Sequence, residues 1–114
     1  MQLIAQKRLT TDNMTTLFQL STRPTWKGVD ITRLIVCNTG GESASFRLYF
    51  DNNGKNYSSG KELFWDEGSE IEAGGSFSDT LGGIGMRESA GSFGIKASRN
   101  NMLTVSLWGT PILQ

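Results

Sequence analysis

Residues Ile31–Phe50 read ITRLIVCNTGGESASFRLYF. Two apolar, β-branched and aromatic runs flank a small polar turn, Asn38-Thr39-Gly40-Gly41-Glu42-Ser43. Each run has the two-residue period of a strand, and together they predict one hairpin of an antiparallel sheet. In the first run the two faces are Ile31/Arg33/Ile35/Cys37 and Thr32/Leu34/Val36/Asn38. Both faces contain apolar residues, which predicts a central strand covered on each side. In the second run Phe46, Leu48 and Phe50 share one face, and Arg47 and Tyr49 the other. Asp51-Asn52-Asn53-Gly54 follows, with Asn53-Gly54 suited to the positive φ angles of a type I′ turn.

Outward from this stretch, further short strands recur with turn signals between them. Met14–Leu20, Glu62–Trp65, Phe93–Ala97 and Met102–Trp108 each read as strands, and Ile71–Leu81 as two pieces around Gly74-Gly75. In Met102–Trp108, Leu103, Val105 and Leu107 share one face, and Thr104, Ser106 and Trp108 the other. Ser21–Gly28, with Pro24 and Trp26, reads as a loop, and Thr110–Gln114 as a tail. No segment of ten or more residues keeps helical period. The expected class is all-β: a single antiparallel β-sandwich or jelly-roll-like domain over residues 14–114. Residues 1–13 form either an N-terminal arm or an edge strand.

Length and composition bound the function. A chain of 114 residues makes one domain with a modest core. Eleven Lys/Arg balance eleven Asp/Glu, so overall charge gives no nucleic-acid signal, and basic and aromatic residues form no stripe. The balance hides an asymmetry. Residues 1–61 carry eight basic and four acidic side chains, net +4; residues 62–114 carry three and seven, net −4. Five of the acids are Glu62, Asp66, Glu67, Glu70 and Glu72. They form either a solvated edge or one half of a head-to-tail contact between subunits. Cys37, the single cysteine, permits no intrachain disulfide and reads as a buried thiol. The start, MQLIAQKRL, lacks the apolar run of a signal peptide, and no stretch approaches the ~20 apolar residues of a membrane span. The expectation is a protein made in a cytoplasm, either soluble there or assembled into a particle.

The chemistry on offer is sparse. Without histidine there is no Ser-His or Cys-His nucleophile pair. Carboxylate pairs remain, with Asp51, Asp66, Glu67 and Glu70 as candidates for glycoside hydrolysis, but the chain has little room for a sugar cleft. No enzymatic activity, cofactor or metal is expected. Asp51-Asn52-Asn53-Gly54 with Glu62 in the twelfth place resembles a calcium loop, but the flanks are strands and a hairpin turn explains it better. Gly82-Gly83-Ile84-Gly85 lacks dinucleotide-binding spacing and suits bends or close strand approach. Trp26, Trp65 and Trp108 serve either as packing or as a platform for sugar rings.

The order of features resembles small virion structural proteins of tailed bacteriophages. The residues that carry the resemblance are Leu34-Ile35-Val36-Cys37-Asn38, Phe46-Arg47-Leu48, Leu63-Phe64-Trp65-Asp66, Gly83-Ile84-Gly85-Met86 and Leu103–Gly109. It spans Thr15 to Gly109. Two features depart from it: a longer, more basic stretch over the first thirteen residues, and a bulky first loop at Arg23-Pro24-Thr25-Trp26-Lys27. The resemblance implies a non-enzymatic component of a phage virion. The leading form is a capsid decoration or cement protein, trimeric, bound to the major capsid protein. A tail-tip, collar or fibre-anchor module is the alternative. A carbohydrate-binding module using Trp65 or Trp108 is a reading from another class. The residues expected to make contacts are Leu3 and Ile4 of an arm, Lys7 and Arg8 facing an acidic surface around Glu67 and Glu70, and Trp26. No nucleic-acid or membrane partner is expected.

Overall fold

A computed structural model describes residues 1–58, 60–64 and 70–114. Among these residues eight strands form: β1 (Gln2–Arg8), β2 (Thr15–Gln19), β3 (Trp26–Asn38), β4 (Phe46–Asp51), β5 (Glu62–Phe64), β6 (Ser76–Met86), β7 (Ser92–Ala97) and β8 (Leu103–Leu113). A 3-10 turn, Leu20–Thr22, links β2 to β3. The strands build two four-stranded antiparallel sheets, sheet A in the order β1-β8-β3-β6 and sheet B in the order β2-β7-β4-β5. The pairs β1:β8, β2:β7, β3:β6 and β4:β5 are nested like one long folded ribbon, and β3:β8 and β4:β7 join the ribbon's turns. That nesting is the eight-stranded jelly roll.

Alternation makes the core. Phe46 and Leu48 of β4, Phe93 and Ile95 of β7, and Leu103, Val105 and Leu107 of β8 point between the sheets and are fully buried. Rings lock the layers and strands: Phe46 meets Phe77 edge-on at 5.3 Å between centroids, and Phe50 lies 5.0 Å from Phe93. Such contacts contribute about 0.5–1.5 kcal/mol beyond area burial.

Several sequence expectations are corrected. β3 and β4 do not pair; β3 lies between β8 and β6 in sheet A, and β4 lies between β7 and β5 in sheet B. Between them the chain crosses from sheet to sheet, and Asn38 steers the crossing. Its buried amide donates to the Glu42 carbonyl at 2.7 Å and the Ile71 carbonyl at 2.9 Å, while its oxygen accepts from Gly40 N at 2.9 Å. Strand period specifies a strand, not its partner.

β3 is central, as its pattern predicts, but not covered on both faces. Its register slips against both neighbours between Ile31 and Arg33. The inward set is therefore Val29 and Ile31, then Leu34 and Val36, while Ile35 and Cys37 turn outward. A bulge switches the phase of alternation and so places apolar residues on two faces. On β6 the matching irregularity includes Gly83 at φ +80°, a conformation that favours glycine. Trp26 begins β3 rather than sitting in a loop, and residues 110–113 extend β8 rather than forming a tail. Asn53 and Gly54 are not at positive φ. β4 and β5 are joined by a longer loop, not a type I′ turn.

Candidate interaction surface

The two sheets present very different outer faces. On sheet B the loop after β4 covers the part around Ser92, Gly94 and Thr16, while Arg47 and Lys96 stay exposed. The Tyr57 ring lies over Gly94 so closely that a Cβ there would sit 2.5 Å from it. The Tyr57 hydroxyl is 2.6 Å from Ser92 Oγ and 3.3 Å from Thr16 Oγ1, and Ser92 Oγ donates to the Gly54 carbonyl. Because Ser92 spends its proton on Gly54, Tyr57 donates to Ser92 and Thr16 donates to Tyr57.

Asp51 anchors the same loop. Its buried carboxylate accepts from Asn53 N at 3.1 Å and Asn56 N at 2.8 Å, and Lys61 Nζ lies 3.2 Å away. The Lys61 ammonium is thus a counter-charge to the Asp51 carboxylate. The Asn56 amide, with Asn53 and Lys61 behind it, holds the Asp51 carboxyl below its ordinary value against the opposing effect of burial. A lowered folded pKa means the stabilisation is complete above the unfolded value of about 3.9 and is lost as pH falls through the folded one. Below about pH 4, the Asn56 amide is expected to lose its protection from hydrogen exchange before the core strands do. Asp51→Asn is expected to remove that acid-dependent step, as read by amide exchange across the acid range.

The outer face of sheet A is open. Strand register aligns three cross-strand rows: Leu3–Trp108–Arg33–Thr80, Gln6–Ser106–Ile35–Ser78 and Arg8–Thr104–Cys37–Ser76. Hydrogen bonds brace it: Arg33 Nη1 to Ser78 Oγ at 2.9 Å, Trp108 Nε1 to Ser106 Oγ at 3.1 Å, and Arg8 Nη2 to the Asn101 carbonyl at 2.7 Å. Arg8 also donates to Thr39 Oγ1. Small hydroxyls, two guanidiniums and half-exposed apolar groups form a face without a carboxylate in its rows. Four strands about 4.8 Å apart and three rows about 6.8 Å apart give roughly 400 Å². That is half of the ~800 Å² per partner of a standard interface, so the face needs its rim or several copies to bind firmly.

The expected contact residues scatter. Residues 2–8 form β1, the strand at one end of sheet A. Leu3 is 41% exposed on the open face, opposite Trp108, whereas Ile4 is 2% exposed and belongs to the core. Lys7 Nζ reaches the Thr16 carbonyl at 3.3 Å. Trp26 is half-buried, 6.1 Å from Phe18, with the Arg23 guanidinium 5.5 Å over its ring. Glu70 is exposed beside Ile71; Glu67, Trp65 and Asp66 lie outside the described residues. Cys37 is half-buried on the open face rather than buried in the core. Sequence reasoning missed Arg33, Ile35 and Trp108 as one surface. The β8 members were legible by alternation; the β3 members were hidden by the bulge. Among the described residues no group of three or more Cys, Asp or Glu side chains is placed to hold a metal ion, and no helix is long and apolar enough to cross a membrane.

No family model matches the chain, and no curated protein matches it. Among solved structures, a cleaved adhesin domain of Lys-gingipain from Porphyromonas gingivalis is similar over 92% of this chain and 66% of that one, at 14% identity and a TM-score of 0.46.

Proposed function

We propose that this chain is a non-enzymatic structural protein of a tailed-bacteriophage particle, made in the host cytoplasm and assembled on the virion as a capsid decoration protein. The observation that carries the reading is the ordered series of strand motifs from Leu34-Ile35-Val36-Cys37-Asn38 to Leu103–Gly109. The jelly roll supports it at the level of fold, since viral shells use this architecture. The open face of sheet A supplies a surface of the right kind for the major capsid protein: flat, braced and mixed polar and apolar. Its modest area suits a trimer, in which three weak contacts act together through effective concentration.

Copy number tests the reading. Quantitative mass spectrometry of purified virions is expected to find hundreds of copies of this chain per particle. A dozen or fewer would move it to the tail, as a tip, collar or fibre anchor. Its absence from virions, together with a glycan-array signal lost in Trp108→Ala, would replace both readings with a carbohydrate-binding module.

A further inference from the structure

The lateral sides of the sandwich carry opposite charge. On one side the edge strands β1 and β2 lie against each other across the sheets. Between them runs a groove of about 420 Å³, lined by Ile4, Lys7, Leu17, Phe18, Arg23 and Lys55 among others. Its floor is apolar and its rim carries three exposed cations. Among the described residues no carboxylate lines it, and none of the three cations is ion-paired. Lysines at a strand edge repel neutral and basic strands and admit acidic ones.

The opposite side carries the acids. β5 ends sheet B and β6 ends sheet A, both farthest from β1 and β2 in their sheets. Ile71 bridges Ala44, which precedes β4, so residues 70–72 continue the edge begun by β5. Glu62, Glu70 and Glu72 therefore lie along one edge, with Glu70 and Glu72 exposed. Lys61, a cation beside this edge, is engaged by Asp51 at 3.2 Å.

We infer that the basic β1/β2 side of one copy receives the acidic β5 edge of a second copy, in a head-to-tail contact. The occupant is another copy because the chain carries both halves of the match, net +4 over residues 1–61 and net −4 over residues 62–114. Two different surfaces meet, so the contact is heterologous, and repetition closes a ring or extends a chain. It leaves the outer face of sheet A free, and it stands whether or not the phage reading does.

The test is self-association of the full chain by sedimentation velocity at low and high salt. The wild type is expected to form concentration-dependent oligomers at about 20 mM salt and to weaken at least tenfold by about 0.5 M, where the Debye length falls to a few ångströms. Lys7→Glu/Lys55→Glu and Glu70→Lys/Glu72→Lys are each expected to be monomeric. Mixed together they are expected to associate, because each then offers what the other lacks. All four positions are exposed, so melting temperatures report that the variants stay folded. A wild type that remains monomeric at low salt and high concentration overturns the inference, as does association that neither pair of reversals changes.

Discussion

Deleting residues 1–9 is expected to abolish cooperative thermal unfolding. β1 looks dispensable from sequence, being terminal, basic and mixed in pattern, yet it closes sheet A. Ile4 and Leu9 are 2% and 1% exposed. Losing a buried aliphatic side chain costs about 2–5 kcal/mol, so these two together represent about 4–10 kcal/mol. The stability of a small domain is only about 5–15 kcal/mol. The deletion also removes the ladder from Gln2↔Gly109 to Arg8↔Thr104, and with it the Leu9 amide's bond to the Leu103 carbonyl at 2.8 Å. Val105 and Leu107 of β8 would lose their cover on that side. Circular dichroism on heating measures the outcome. A truncated protein with a near-native transition would show that β1 is detachable and would return it to the role of an arm.

Gly109→Ala is expected to lower the melting temperature by on the order of 10 °C or more, or to prevent folding. A Cβ at Gly109 would sit 2.1 Å from the Asp30 carbonyl oxygen and 3.0 Å from the Ile31 Cα. Gly109 is not at positive φ, so the constraint is space rather than conformation. The obstacle is backbone, which no side-chain rotamer relieves, and it lies where β3 and β8 meet at the bulge. Overpacking of this kind costs about 1–3 kcal/mol and more where the main chain must move. Each kcal/mol shifts the transition of a domain this size by several degrees. Gly41→Ala is the control, since a Cβ there meets nothing within 4 Å. Equal melting temperatures for the two variants would mean that the strands separate at little cost.

The legible and illegible parts of this protein divide by the range of the interactions. Alternation in β4 and β8 marked the inward residues correctly, because two-residue period is a local property of a pleated chain. The same logic failed in β3, where the slip between Ile31 and Arg33 reversed the faces midway. The turn at Asn38–Ser43 was visible; that it leads to the opposite sheet was not. The direction is set by the Asn38 amide meeting the Ile71 carbonyl, a contact across 33 residues. The candidate surface followed suit. Trp108 and Leu3 were visible as residues, but their juxtaposition depends on the pairing of β1 with β8, which lie at opposite ends of the chain.

The sequence by itself determined an all-β class, the position of most strands, the missing histidine chemistry and the opposite charge of its two halves. These follow from composition and local period, which need no knowledge of distant partners. Tertiary structure decided the jelly-roll nesting, the choice of sheet A as the open face and the sorting of basic and acidic edges onto opposite sides. Each of these depends on which strand pairs with which. Hydrogen-bond ladders are chemically alike from strand to strand, so pairing is fixed only when the whole core packs at once.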